Sequence, residues 1–157
     1  MNEKIQKCNS EKTCDVNEHM SSCKKTGKEI IMYFYKCDIC GQIVASTEEL
    51  INPLSCCNHE MRLLTPAESD GALEKHVPVY SIEGETLTVS IGSEPHPMVP
   101  EHYIEWVCLV TCCGVQWQPL EPGIAPVATF KVKPGEQVVA IYEYCNIHGL
   151  YIYSSED

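Results

Sequence analysis

The pattern of apolar and polar residues changes twice along this chain of 157 residues. Residues 1–30 are polar without β-patterning, residues 31–68 hold short apolar runs between cysteines, and residues 69–157 alternate apolar and polar positions repeatedly. Alternation with a period of two indicates strands with one buried face. We therefore predict a flexible or weakly helical extension, a small cysteine-rich domain and a β-domain, in that order.

Seven strands are predicted in the β-domain. They are Val77–Ile82, Thr86–Ile91, Tyr103–Val110, Val115–Gln118, Val127–Val132, Val138–Tyr144 and Leu150–Tyr153. Pro122-Gly123 and Pro134-Gly135 are turn signals between them. Short strands with regular turns predict a mainly β fold, an immunoglobulin-like seven-stranded β-sandwich.

The cysteine-rich segment is too small to stabilise itself by apolar burial. Short strands are predicted over Ile31–Lys36, Gln42–Ala45 and Met61–Leu64, with cysteines in the connections. A bound metal would replace the missing core.

Eleven cysteines occur in a chain with no apolar run of signal-peptide or membrane-span type. Thiols stay reduced in the cytosol, so we expect a cytoplasmic protein that uses cysteines for metal binding rather than for disulfides.

The net charge of −11 is concentrated in the second half of the chain. Residues 74–157 contain three basic and eleven acidic side chains. This balance argues against a nucleic-acid partner, and it would repel a small anion at long range. An anionic substrate would therefore need a local positive charge.

Four cysteines form the first candidate metal site. Cys37 and Cys40 flank a tight turn, and Cys56 and Cys57 are adjacent. Because neighbouring side chains in a strand point in opposite directions, the adjacent pair requires a bent backbone. Four thiolates bind either zinc or a single iron, and a zinc staple remains open on spacing alone.

A cysteine and four histidines form the second candidate. Cys145 and His148 lie three residues apart, and three further histidines stand upstream at His76, His96 and His102. Four imidazoles with one thiolate suit redox-active iron better than zinc, which takes fewer protein ligands. Trp106 is expected to be core packing, and His19 and His59 are expected to be ordinary non-ligating residues.

The motifs that surround these residues resemble a known family. The segment Tyr35–Val44 with Cys56-Cys57 resembles the desulforedoxin module over residues 33–64. Four further segments resemble superoxide reductase: Glu74–Val79, Gly92–Met98, His102–Trp106 and Tyr144–Gly149. Together they resemble a two-iron desulfoferrodoxin over residues 33–153.

The resemblance implies two iron ions per chain, with zinc possible in the four-cysteine site. The four histidines would be equatorial ligands and Cys145 the axial one. Glu74 would close the oxidised site as a carboxylate ligand, and Lys75 would supply the local cation. The implied reaction is one-electron reduction of superoxide to hydrogen peroxide, with electrons from rubredoxin or a similar donor, by a homodimer that contacts neither nucleic acid nor membrane.

Two other functions remain open from the residues alone. One is a non-catalytic iron electron-transfer protein, and the other is a zinc-stapled β-sandwich that mediates protein interaction.

The role of the additional cysteines is also open. Cys8, Cys14, His19 and Cys23 could form a third metal site or a tail of free thiols, Cys108 is expected in the core, and Cys112-Cys113 in an exposed hairpin turn.

Overall fold

The computed structural model describes residues 30–67 and 73–155. Residues 1–29 of the predicted extension, with Cys8, Cys14, His19 and Cys23, lie outside the described residues. The third metal site therefore stays a prediction. The predicted domain boundary at residues 68 and 69 also stays a prediction, because it falls in the undescribed segment 68–72.

Residues 30–67, called the four-cysteine module below, contain five short strands. They are β1 (Tyr33–Lys36), β2 (Ile43–Ser46), β3 (Ser55–Cys56), β4 (His59–Glu60) and β5 (Arg62–Leu63). An antiparallel sheet has the order β2-β1-β5, and β3 pairs with β4 in a separate hairpin.

Residues 73–155 form the β-sandwich. Its elements are α1 (Leu73–His76), β6 (Pro78–Glu83), β7 (Thr86–Ile91), β8 (Ile104–Thr111), β9 (Gly114–Pro119), β10 (Val127–Lys131), β11 (Val138–Cys145) and β12 (Gly149–Ser154). One sheet has the order β10-β7-β6 and the other β12-β11-β8-β9. The mainly β fold class is confirmed, and all seven predicted sandwich strands are present with ends within one residue of the prediction.

The strands of the sandwich differ in how many faces they bury. In β7, Leu87, Val89 and Ile91 are buried while the residues between them are not, as the alternation predicts. β8 and β11 are buried on both faces. One face of each contacts the β7 side of the core, and the other is covered by residues of the four-cysteine module.

Phe34 of β1 is the centre of the contact between the two parts. It is fully buried, and its ring centroid lies 5.0 Å from that of Trp106, 5.7 Å from Trp117 and 5.1 Å from Tyr142. Aromatic pairs at such spacings stabilise beyond the area they bury. The small module therefore obtains a core by sharing the outer face of the β8–β11 sheet.

Three short elements are not predicted by the pattern of residues. Strands β3 and β4 span two residues each, and α1 spans a single turn. Elements this short carry too few residues for a periodic signal. In the described part of the chain, no helix is long and apolar enough to cross a membrane.

We expect Phe34→Ala to lower the free energy of unfolding of the metal-loaded protein by about 3 kcal/mol or more, because a fully buried aromatic ring leaves a cavity at the contact. Denaturant unfolding measures this change. Ile39→Ala is the control, since Ile39 in the same module is 62% exposed. Equal losses in the two variants would contradict a docking role for Phe34.

Candidate metal centres

The first pair of cysteines is positioned by a tight turn after β1. The amide of Gly41 donates to the carbonyl of Cys37 over 2.9 Å, and the amide of Cys37 donates to the carbonyl of Gln42 over 2.9 Å. Gly41 has a φ of 77°, which favours glycine. Arg62 of β5 holds the turn through Asp38, with 3.1 Å between Nη2 and Oδ1.

The second pair lies on the β3–β4 hairpin. Cys57 and Asn58 form its two-residue turn, with φ values of 52° and 59°. Positive φ at both central positions is typical of a type I′ hairpin turn. This turn is the bent backbone that the adjacent cysteines require. His59 is exposed, and its Nδ1 lies 2.9 Å from the carbonyl oxygen of Cys57, outside the thiol group.

The four thiols meet at spacings that suit one metal ion. The Sγ atoms of Cys40 and Cys56 are 3.6 Å apart, and those of Cys56 and Cys57 are 3.9 Å apart. With metal–sulfur bonds of about 2.3 Å, tetrahedral geometry places sulfur atoms about 3.8 Å apart. Cys37 is buried, whereas Cys40 and Cys57 are exposed. The four-cysteine site therefore has a buried side at Cys37 and a solvent-exposed side at Cys40 and Cys57.

The thiols of this group differ in pKa. Hydrogen bonding from the backbone amide of Cys40 is the main cause that lowers the pKa of Cys37 to about 7. Hydrogen bonds to the sulfur atoms of Cys40 and Cys37 raise the pKa of Cys56 to about 12, and the bond to Cys40 also raises that of Cys57. At neutral pH the metal-free group therefore keeps protons that a metal must displace.

The second donor group lies at one end of the sandwich. His76 ends α1, His96 and His102 lie between β7 and β8, Cys145 ends β11, and His148 lies in the turn before β12. One donor atom from each of the five residues lies within 4.8 Å of every other. Opposite ligands would be about 4.2 Å apart for metal–nitrogen bonds of about 2.1 Å.

The four imidazoles form a closed ring. Neighbouring centroids are 4.5 Å apart for His76 and His96, 4.6 Å for His96 and His102, 4.8 Å for His102 and His148, and 4.9 Å for His148 and His76. Every neighbouring pair meets edge to face. The sulfur of Cys145 lies 3.7 Å from Nε2 of His96 and 3.6 Å from Nδ1 of His148. Four imidazoles and one cysteine sulfur therefore surround one point, and together they would hold a metal ion.

Ring nitrogens of His102 and His96 are available to bind a cation. Among the described residues, Nε2 of His102 is buried without a hydrogen-bond partner. Nδ1 of His96 donates to the carbonyl of Pro97 over 2.6 Å, which leaves its Nε2 as an acceptor facing Cys145. A cation at the centre would satisfy these lone pairs, so the residues fit a bound metal.

Glu143 and Tyr151 support His76 and were not identified from the sequence. Nδ1 of His76 lies 3.0 Å from Oε1 of Glu143, and the ring of Tyr151 stacks on that of His76 at 4.2 Å. Burial raises the pKa of Glu143 well above its usual range, whereas a cation bound to His76 would favour the carboxylate. A glutamate two positions before Cys145, on the same face of an apolar strand, was the available signal.

Burial and neighbouring charges favour the neutral form of His96 and His102. Burial lowers the pKa of both His96 and His102, and the charges of His148 and Lys75 lower both further. Burial raises the pKa of Cys145, although the backbone amide of His148 opposes this by hydrogen bonding. Neutral imidazole is the form that binds metals.

Lys75 and Glu74 are exposed residues of α1, next to the buried His76. The turn after β7 holds this helix, since the amide and the hydroxyl of Ser93 both donate to the carbonyl of Glu74, over 2.8 and 3.1 Å. Gly92 permits the close approach, because a Cβ there would lie 2.6 Å from the carbonyl oxygen of Lys75. The backbone of Lys75 is therefore fixed beside the second donor group.

Comparison with known proteins gives two family matches. The N-terminal domain of desulfoferrodoxin matches residues 31–64, and desulfoferrodoxin itself matches residues 68–154. This chain belongs to the desulfoferrodoxin family. Its two donor groups match the two-iron desulfoferrodoxin architecture, so the expected pair of metal sites is confirmed.

Individual relatives agree with this assignment. The chain is 46% identical to a desulfoferrodoxin of Nitratidesulfovibrio vulgaris over 116 residues, 73% of this chain and 90% of that protein. It is 40% identical to a desulfoferrodoxin homolog of Archaeoglobus fulgidus over 121 residues, 77% of this chain and 95% of that protein. The crystal structure of the superoxide reductase from Treponema pallidum is similar with a TM-score of 0.70 and 34% identity, covering 79% of this chain and 98% of that one.

Three additional cysteines, Cys108, Cys112 and Cys113, lie among the described residues and outside both donor groups. Cys108 is fully buried in β8, as expected, and burial raises its pKa to about 12. Cys112 and Cys113 form the turn between β8 and β9, where Cys113 is exposed and Cys112 is half-buried. Cys112 is disulfide-bonded, so the expectation that the cysteines do not form disulfides is wrong at this position. Trp106 is core packing, as the sequence indicated.

We expect metal affinity of the four-cysteine group to fall as the pH is lowered from about 8 to about 6, since bound protons compete with the metal for thiolates. The raised pKa values of Cys56 and Cys57 mean that binding releases protons throughout this range. Calorimetric zinc titration of metal-free protein in buffers of different ionisation enthalpy measures the released protons. Binding without proton release would contradict the prediction.

We expect Glu143→Ala to weaken cobalt(II) binding at the histidine site about 10–100-fold, because His76 loses the partner that orients it. The four-cysteine site should keep its affinity. Competition with a chelator, followed by the distinct spectra of the two sites, measures both. Glu83→Ala, which removes an exposed glutamate, is the control, and equal affinities in the two variants would show that Glu143 does not position His76.

Proposed function

We propose that this chain reduces superoxide to hydrogen peroxide at the site formed by His76, His96, His102, Cys145 and His148. The observation that carries the proposal is the closed ring of four imidazoles with the sulfur of Cys145 against it. The similarity to a protein described as a superoxide reductase supports the same reaction.

Iron bound at this site would supply one electron by cycling between the ferrous and ferric states. Each superoxide takes up that electron and two protons and leaves as hydrogen peroxide. With neutral imidazoles and one thiolate as ligands, a ferrous site would have a net charge of one positive unit, which would favour an approaching anion. The thiolate of Cys145 adds electron density from the buried side of the site.

Lys75 is proposed to attract the substrate. It is exposed next to His76, and its charge acts on both His96 and His102. The surrounding domain is acidic and repels small anions at long range, so a fixed cation near the site has a large effect on the encounter rate. Glu74, its exposed neighbour on α1, is proposed as the carboxylate that closes the oxidised site.

The four-cysteine group is proposed to hold the second iron and to receive electrons from rubredoxin or a similar carrier. Its exposed Cys40 and Cys57 support contact with an external donor. The cysteines of both groups are free thiols, as metal ligands must be, and a cytoplasmic location is part of the proposal. A homodimer is also part of the proposal.

Metal analysis of anaerobically purified protein separates this function from its alternatives. The proposal expects two irons per chain and an additional absorption band from the histidine site on oxidation. One zinc and no iron would instead indicate a zinc-stapled interaction protein. Two irons with no reaction between the reduced protein and superoxide would indicate a non-catalytic electron carrier.

We expect Lys75→Ala to slow the oxidation of the reduced protein by superoxide by about tenfold or more, because the local attraction for the anion is lost. Pulse radiolysis measures the second-order rate constant and its dependence on ionic strength. Lys131→Ala removes a lysine from β10, in the same domain, and is the control. Equal rate constants in the two variants would remove the proposed role of Lys75.

A further inference from the structure

A single hydrogen bond links residues adjacent to both metal sites. Nζ of Lys36 donates to the hydroxyl oxygen of Tyr144 over 2.6 Å, although the two residues are 108 positions apart. Lys36 immediately precedes Cys37 of the four-cysteine group, and Tyr144 immediately precedes Cys145 of the histidine group. The bond therefore completes a continuous chain of atoms between the two buried thiols.

The surroundings hold this bond in place. Tyr144 is 3% exposed, and its ring stacks on that of Trp106 with centroids 5.5 Å apart and an interplanar angle of 11°. Lys36 is half-buried in β1, which pairs with β2 and β5 and carries the docked Phe34 two residues earlier. Both partners thus lie on elements fixed at the contact between module and sandwich.

The two thiols at the ends of this chain face the protein interior. Cys37 is 2% exposed and Cys145 is fully buried, whereas Cys40 and Cys57 are exposed. Cys37 packs with Tyr35 and Met61 inside the module, and its peptide bond to Lys36 connects it to the hydrogen bond that reaches the sandwich. Electronic coupling falls off more slowly along bonded atoms and hydrogen bonds than across gaps between side chains.

We propose that Lys36 and Tyr144 carry electrons from the four-cysteine centre to the histidine centre within one chain. The inference rests on the proposed function, in that both centres hold iron. With iron in both sites, one electron would pass from the ferrous iron held by the four cysteines, which would become ferric, to the ferric iron held by the histidines and Cys145, which would become ferrous. No bond forms or breaks, and the external one-electron donor restores the first centre.

The aromatic cluster offers a second route. From Phe34 it crosses ring-to-ring contacts to Trp106 and then to Tyr144, with centroids 5.0 and 5.5 Å apart. The Lys36 route crosses one short hydrogen bond instead. Removal of this hydrogen bond should slow electron transfer between the two centres. It should not change the driving force, which depends on the ligands of the two sites.

The test uses the full chain with both centres loaded with iron and oxidised. The carbon dioxide radical anion, generated by pulse radiolysis, reduces the exposed four-cysteine centre, and its reoxidation reports transfer to the second centre. Tyr144→Phe removes the acceptor oxygen, and Lys36→Met removes the donor but keeps an apolar stem. Tyr142→Phe is the matched control, because Tyr142 lies in β11 against Phe34 but is not adjacent to a ligand.

We expect the first-order transfer rate to fall at least several-fold in Tyr144→Phe and in Lys36→Met, and to stay unchanged in Tyr142→Phe. Iron content and both reduction potentials should stay unchanged, which separates an electron path from a purely structural contact. Equal transfer rates in all proteins would overturn the proposal. So would a rate that falls only together with loss of iron or a shifted potential.

Failure of the proposed function is distinguishable from failure of this path. Superoxide mixed with fully reduced protein tests the reaction at the histidine site and does not require transfer between centres. Absence of that reaction would remove superoxide reduction while the transfer rate remained measurable. Zinc instead of iron in the four-cysteine group would overturn the path alone.

Discussion

The convergence of four imidazoles and one thiolate at one end of the β-sandwich is the constraint on which the rest of the structure depends. Polar donor atoms removed from water need a partner, and Nε2 of His102 has none among the described residues. A central cation satisfies all five donors at once. Backbone contacts position these side chains. Ser93 binds the carbonyl of Glu74 in the helix that ends at His76, and the carbonyl of Pro97 accepts a hydrogen bond from His96. His148 lies in the turn that follows Cys145.

The four-cysteine module depends on the same sandwich for its stability. Its own strands span two to four residues, too few to form an independent core. Phe34 and Leu64 enter a cluster with Trp106, Tyr142 and Tyr144 on the outer face of the larger sheet. The same contact region contains the hydrogen bond from Lys36 to Tyr144, so the docking of the module and the proposed electron path share one part of the structure.

The charge near the histidine site differs from that of the surrounding domain. The β-domain is acidic, yet its donor group combines four imidazoles and a buried cysteine with a neighbouring lysine. Burial holds the pKa of His96 and His102 low, which keeps them available as ligands. The bulk charge thus disfavours anions in general, whereas the site itself offers a small positive region beside Lys75.

The sequence by itself determined the strands and the ligand types. Alternation placed β7 at Thr86–Ile91 without error, and cysteine and histidine spacing identified both donor groups, because these signals are local. The adjacent cysteines predicted a bent backbone but not the positive φ of Cys57. Glu143 was not distinguishable in the sequence from the other acidic residues. Tertiary structure alone decided that Glu143 contacts His76, 67 positions away, and that Lys36 contacts Tyr144, 108 positions away. Periodicity shows which face of a strand is buried, but the order and packing of the sheets decide what lies against it.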